Sequence, residues 1–222
     1  MAEEVDVLLV LAADASGSVS DDRERMQRNG FAAALMNPAF LSAVATGRLG
    51  RVAAVYVEWS NYGSQVTALR RGWPSFAPVW TVISDAASAA RLATAIPETP
   101  RMTPGYTSLS GAIDYGARII AESGFAAPRR VIDVCADGRN NDGRAVIAAR
   151  DAAVAEGITI NGLAMLGADA ELEAYFRAEV IGGPLAFVVA VESEADFAPA
   201  VLRKLITEVA APAPSTRTHG RG

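Results

Sequence analysis

The chain has 222 residues, 51% of them hydrophobic, a net charge of −5 and a pI near 5.0. That is enough apolar material for a sizeable core without disulfides, and the single cysteine, Cys135, excludes an intrachain bridge. At that charge no basic footprint invites nucleic acid, no lysine- and arginine-rich cluster holds an anionic membrane surface, and no apolar run is long enough to span a bilayer.

Residues 5–13 read as a buried strand that runs into Asp14-Ala15-Ser16-Gly17-Ser18. Ser20 caps the next helix, with Asp21 and Asp22 in its first turn, and that helix ends near Met36, before Asn37-Pro38. Residues 51–60 form a second strand, 61–64 a turn and 65–70 an antiparallel return. Residues 71–83 hold Trp73, Phe76 and Trp80 among prolines and read as a loop folded onto the domain, with an exposed aromatic partner surface as the alternative. Ser84 opens an alanine-rich helix that ends before Pro97, and a loop over 100–108 leads to a helix at 109–122.

The pattern then repeats: strand 129–136, loop 138–143, helix 144–156, strand 158–165, helix 169–180, strand 186–191 and an amphipathic helix 193–209. Cys135 falls within a strand and reads as a small buried apolar residue. His219, the only histidine, lies in a polar tail, which removes Ser-His and Cys-His catalysis. Alternating strands and helices predict an α/β fold: a doubly wound, mostly parallel six-stranded sheet flanked by helices, with one short antiparallel edge strand. Residues 1–209 are expected to form one domain and 210–222 a flexible tail.

In the common strand order 3-2-1-4-5-6, the first and fourth strands are neighbours, and ligands bind in the crevice at their carboxyl ends. Asp14 ends the first strand, Asp137-Gly138 ends the fourth, and the loop carrying Thr107 can reach the same crevice. Five oxygen-bearing side chains then converge: Asp14, Ser16, Ser18, Thr107 and Asp137. Hydroxyls with nearby carboxylates suit a hard divalent cation. Each piece also has a plain structural reading, Thr107 as a helix N-cap and Asp137-Gly138 as a turn. Asp142, Arg139, Tyr106 and Trp59 are further candidates for the rim, with solvent exposure or packing as their ordinary roles.

Asp-x-Ser-x-Ser, a distant loop Thr and Asp-Gly after a later strand resemble the metal-ion-dependent adhesion site of von Willebrand factor A-like domains. Residues 5–209 also resemble an uncharacterised bacterial branch of that superfamily, through Val57-Glu58-Trp59-Ser60, Asp137–Gly143, Ile158–Leu163 and Val180–Pro184. The resemblance implies that Ser16 and Ser18 bind Mg²⁺ directly, with Mn²⁺ and Ca²⁺ as alternatives. It implies that Asp14 holds the ion directly or through water, that Thr107 binds it directly in a ligand-ready state and through water otherwise, and that Asp137 acts mainly through water.

The function so implied is a non-enzymatic protein-binding module, an adhesion or scaffold domain whose cation is completed by a partner's Asp or Glu. An alternative is a Mg²⁺-dependent phosphohydrolase with Asp14 as nucleophile, although Ser16 stands where such enzymes place a second acid. A third reading has the metal only tying loops together. Glu3, Glu4 and Asp6 replace the positive region of a signal peptide. Relatives in the branch commonly carry export signals, which implies a periplasmic or secreted location if Met1 replaces a removed leader, and a cytoplasmic one otherwise.

Overall fold

Strand β2 (Val7–Asp14) buries all eight of its residues. A strand covered by helices on both faces must be apolar at successive positions, which is why it lacks alternation. A computed structural model describes residues 2–69, 78–100, 102–167 and 169–211. Trp73, Phe76, the end of the expected 65–70 strand and most of the 210–222 tail, His219 included, lie outside the described residues.

The elements follow in chain order: β1 (Glu3–Glu4), β2, α1 (Asp21–Met36), α2 (Pro38–Ala45), β3 (Val52–Trp59), β4 (Gln65–Thr67), β5 (Thr81–Ile83) and α3 (Ala86–Ala95). Next come α4 (Leu109–Ala121), β6 (Phe125–Ala126), β7 (Arg129–Ala136), α5 (Val146–Ala155) and β8 (Thr159–Met165). Helix α6 (Leu172–Tyr175) passes into a π-helical turn (Phe176–Val180), and β9 (Val188–Val191) and α7 (Glu194–Ala210) are the last of the described elements.

The main sheet runs β4-β3-β2-β7-β8-β9, the expected order, and is parallel from β3 to β9. Among the described residues it has seven strands rather than six, because β5 joins β4 as a second antiparallel partner of β3. Thus the end of the expected 71–83 loop is strand. Trp80 beside it packs edge-on against Phe125, at 6.4 Å between ring centroids. Three further differences are local. The short helix α2 begins at Pro38, capped by the Asn37 side chain; α3 is capped by Asp85 in a reciprocal pair with Ser88, not by Ser84; and β1 pairs with β6 in a small second sheet.

Side chains alternate across the sheet as the pleat dictates. Leu9, Leu11, Tyr56 and Cys135 meet Phe31 and Leu35 of α1, Phe40 of α2, and Phe197 and Leu205 of α7. Leu8, Val10, Val55 and Val134 meet Ile113 and Ile120 of α4, Ala149 of α5 and Phe176. Two packed faces hold the strands rigidly and leave their carboxyl ends to carry the loops.

Candidate metal centre

Strand β2 ends at Asp14, whose register partner on β3 is Trp59, and Ala15 N–H donates to the Trp59 carbonyl at 2.8 Å. The chain then turns, because Asp14 Oδ1 accepts the Ser16 N–H at 2.7 Å, an arrangement open to Asp two residues back. Ser20 accepts the Arg23 N–H and starts α1. From that helix Gln27 reaches back, donating Nε2 to the Asp14 carbonyl at 3.0 Å and accepting from the buried Cys135 thiol at 3.4 Å. Cys135 is therefore a packed core residue, and burial pushes its thiol well up.

The five expected side chains come together, four of them in one hydrogen-bonded chain, with Asp14 joined to it through the Ser16 N–H. Thr107 Oγ1 donates to Ser16 Oγ at 3.1 Å, Ser16 Oγ lies 3.2 Å from Ser18 Oγ, and Ser18 donates to Asp137 Oδ1 at 2.6 Å. Asp14, Ser16 and Thr107 are buried, while Ser18 faces solvent. Thr107 is not the cap of α4. That role falls to Ser108, which accepts the Gly111 N–H, and leaves the Thr107 hydroxyl for the cluster.

The loops are clamped independently of this cluster. Asn141 fastens Thr107 from both sides: Thr107 N–H donates to Asn141 Oδ1 at 2.8 Å, and Asn141 N–H donates to the Thr107 carbonyl at 2.9 Å. Gly17 N–H donates to the Gly105 carbonyl at 2.8 Å, and Tyr106 N–H to Asn61 Oδ1 at 2.5 Å. A Cβ on Gly105 would stand 2.2 Å from Asn61 Oδ1, so a side chain there would displace the carboxamide that accepts the Tyr106 N–H.

Three of the four rim candidates are committed elsewhere. Arg139 pairs with Asp169 and stacks over Tyr175, Asp142 accepts the Tyr62 N–H, and Trp59 is fully buried. Tyr106 is exposed, as is Tyr62. Arg23, which the sequence reading passed over, donates to Asp137 Oδ2 at 2.8 Å. Its signal was a basic residue in the first turn of a helix, where the helix dipole disfavours one.

One carboxylate oxygen stands out. Asp14 Oδ2 is buried and has no hydrogen-bond partner. Burial pushes the Asp14 carboxyl up to about 7; the Ser16 hydroxyl and N–H oppose that rise and the charge of Asp137 adds to it. A buried carboxylate left short of partners is costly, and a cation relieves the cost. Among the described residues no group of three or more His, Cys, Asp or Glu could hold a metal. The donor set here is instead three hydroxyls and two carboxylates, all hard oxygen, and it fits Mg²⁺ or a similar ion better than a soft one.

The sheet order, the helices on both faces and the loop cluster at the strand ends define a von Willebrand factor A-like α/β domain. The chain belongs to the family described as "protein of unknown function (DUF1194)", which matches residues 4–213. No curated protein matches it. Among solved structures it is similar to proximal thread matrix protein 1 from the mussel byssus, with a TM-score of 0.63 at 14% identity over 94% of this chain and 49% of that one. A second structure of the mussel protein, with a TM-score of 0.61 at 14% identity over 94% of this chain and 48% of that one, is described as having a zinc-occupied adhesion-site motif. The pilus adhesin SpaC from Lactobacillus rhamnosus GG gives 0.62 at 13% identity over 92% of this chain and 31% of that one. BatB from Bacteroides thetaiotaomicron gives 0.58 at 18%, over 92% and 98% respectively. The chain thus spans about half the length of the mussel protein. At these identities the likeness is one of fold.

Proposed function

We propose that this domain is a metal-dependent protein-binding module, adhesive or scaffolding, in which Asp14, Ser16, Ser18, Thr107 and Asp137 hold a divalent cation. Mg²⁺ is the expected ion, with Mn²⁺ and Ca²⁺ as alternatives. The observation that carries this reading is the buried, unpartnered Asp14 Oδ2 beside three hydroxyls linked in series. A bound divalent ion supplies Lewis acidity toward an incoming carboxylate, and the chain's own residues set how much. Ser16, Ser18 and Thr107 bring no charge, so Asp14 and Asp137 alone would offset that of the ion. Asp137 already shares its charge with Arg23. An Asp or Glu side chain of a partner protein is then the ligand the site would favour.

The phosphohydrolase reading loses ground on one point. Such an enzyme wants a lysine near its nucleophile, and Lys204 is instead buried against Asp133 in the middle of β7. Calorimetric titration of chelator-stripped protein with Mg²⁺, Mn²⁺ and Ca²⁺ tests the proposal. One saturable site, lost in Asp14→Ala with the fold retained, is the expected result. Absence of binding by all three ions would overturn it.

A further inference from the structure

Every basic residue of the chain is an arginine except Lys204, and Lys204 is buried, 1% exposed, on the inner face of α7. Its Nζ lies 2.5 Å from Asp133 Oδ1 on β7 and 2.6 Å from Glu208 Oε1, one helical turn further along α7. Asn161 Nδ2 on β8 donates to that same Glu208 oxygen at 2.9 Å, and the Phe187 ring centre is 5.2 Å from Nζ. Both carboxyl groups are as buried as the amine. Asp133 Oδ1 touches Nζ without an aligned hydrogen bond, and Glu208 Oε2 has no partner.

A buried ion pair alone is better served by arginine, whose planar fork binds carboxylates bidentately and keeps its charge. This chain does that at Arg28, which donates Nε and Nη2 to Glu58 at 2.6 and 2.7 Å. What lysine offers and arginine does not is an amine that can give up its proton and attack. With two carboxyls and one amine, full ionisation would bury a net negative charge, so the triad is stabilised by taking up one proton. Glu208 Oε1 accepts from both Lys204 and Asn161, whereas Asp133 Oδ1 has no aligned donor, and burial, with the Glu208 charge adding and Lys204 opposing, raises the Asp133 carboxyl; Asp133 is therefore the group that takes that proton.

We propose that Asp133 and Lys204 form a self-catalysed intramolecular cross-link, an isopeptide bond between Lys204 Nζ and Asp133 Cγ. Asp133 enters as the neutral acid and Lys204 as the ammonium. Glu208 takes one ammonium proton across the 2.6 Å contact, and the freed lone pair attacks Cγ, forming the C–N bond. A second Nζ proton passes by way of Glu208 to the departing hydroxyl, the C–O bond breaks, and one water leaves. The amide and a neutral Glu208 remain, with charge conserved and no oxidant or further reactant needed. Burial favours release of the Lys204 proton, but the hydrogen bond to Glu208 holds it tightly. The step is therefore a slow, single maturation event rather than a turnover. Burial of Asp133, Lys204 and Glu208 shields the product from hydrolysis. The bond would fasten α7 to the central sheet.

The test is the intact mass of the folded full-length chain, measured after denaturation. The expected mass is one water below that of the sequence. Trypsin should then release a branched peptide joining Val131–Arg139 to Lys204–Arg217, with linear Leu205–Arg217 absent. Glu208→Gln and Lys204→Arg should each restore the full mass and the linear peptide. A wild-type chain at full sequence mass would overturn the proposal. So would a water deficit that maps to a cyclised Asp137-Gly138 or Asp142-Gly143 instead of to Lys204.

Discussion

Arg23 and Asp137, separated by 114 positions, meet at 2.8 Å beside the buried Asp14, and Ser18 occupies the other Asp137 oxygen. Asp137 is thus fully engaged before any cation arrives, whereas Asp14 is not. Arg23 also supplies the one positive charge in the cluster, from a side chain 27% exposed. With a divalent ion bound, Asp14 and Asp137 together would cancel it, and Arg23 would leave the assembly one charge positive.

That arithmetic gives opposite effects on two ligands. In Arg23→Gln the metal should bind roughly three- to tenfold more tightly, a range tempered by the solvent exposure of the arginine. A carboxylate ligand added to the metal-loaded protein should bind more weakly. Calorimetry with Mg²⁺, then with an acidic peptide on the loaded protein, separates the two. Equal shifts in the same direction would show that Arg23 acts only on local structure.

Metal-free protein should respond to pH through Asp14. Its carboxyl lies near 3.8 unfolded and is raised to about 7 in the fold. Between those values the native state holds a proton that the unfolded state has lost. Stability is therefore greatest below the unfolded value, declines as pH rises through that window, and levels off above the folded value. Comparison with Asp14→Asn isolates this effect: the variant should be more stable than wild type by a few kcal/mol near pH 8 and about equal near pH 4 in chelator. Denaturant melts at both pH values decide it.

Glu58 is a structural anchor. It is buried on β3, held bidentately by Arg28 of α1, and accepts the Tyr56 hydroxyl at 3.1 Å. Arg28 also reaches Glu24. Glu58→Ala strands a partly buried guanidinium and should cost roughly 3 kcal/mol, lowering Tm by about 10 °C. Because α1 carries Arg23 and Gln27 to the metal loops, a weaker metal affinity should accompany the loss. A thermal melt without change would mean that Glu24 alone satisfies Arg28.

The strand order was legible because doubly covered strands write their burial as unbroken apolar runs, as in Val7–Asp14. From that order the meeting of Asp14 and Asp137 follows. Helix α2 was missed although Asn37-Pro38 is a cap followed by proline at the first helical position, since its eight residues are too short and too apolar for a period to show. Strand β5 was missed because its pairing with β3 depends on contacts remote in sequence. Arg23 and Asn141 act on partners that local patterns do not reveal. Lys204 had a signal: Val201, Leu205, Glu208 and Val209 share its helical stripe, so the inward face of α7 carries charges that only tertiary partners could accommodate.

Asn141 isolates positioning from ligation. It offers nothing to the hydroxyl cluster itself, yet its side chain accepts the Thr107 N–H while its backbone donates to the Thr107 carbonyl. Asn141→Ala removes the first bond and keeps the second. The Thr107 N–H, in a part-buried loop, loses its acceptor at a cost of about 1 kcal/mol. The larger effect should fall on geometry: Thr107 Oγ1, now tethered at one point, spends less time 3.1 Å from Ser16 Oγ. Mg²⁺ affinity should drop several-fold while Tm changes by only a few degrees. Thr107→Ser, which keeps the hydroxyl and the clamp, should bind nearly as wild type. Calorimetry on both variants distinguishes a positioned hydroxyl from a merely present one, because loss of binding in Thr107→Ser with none in Asn141→Ala would assign the role to the threonine methyl.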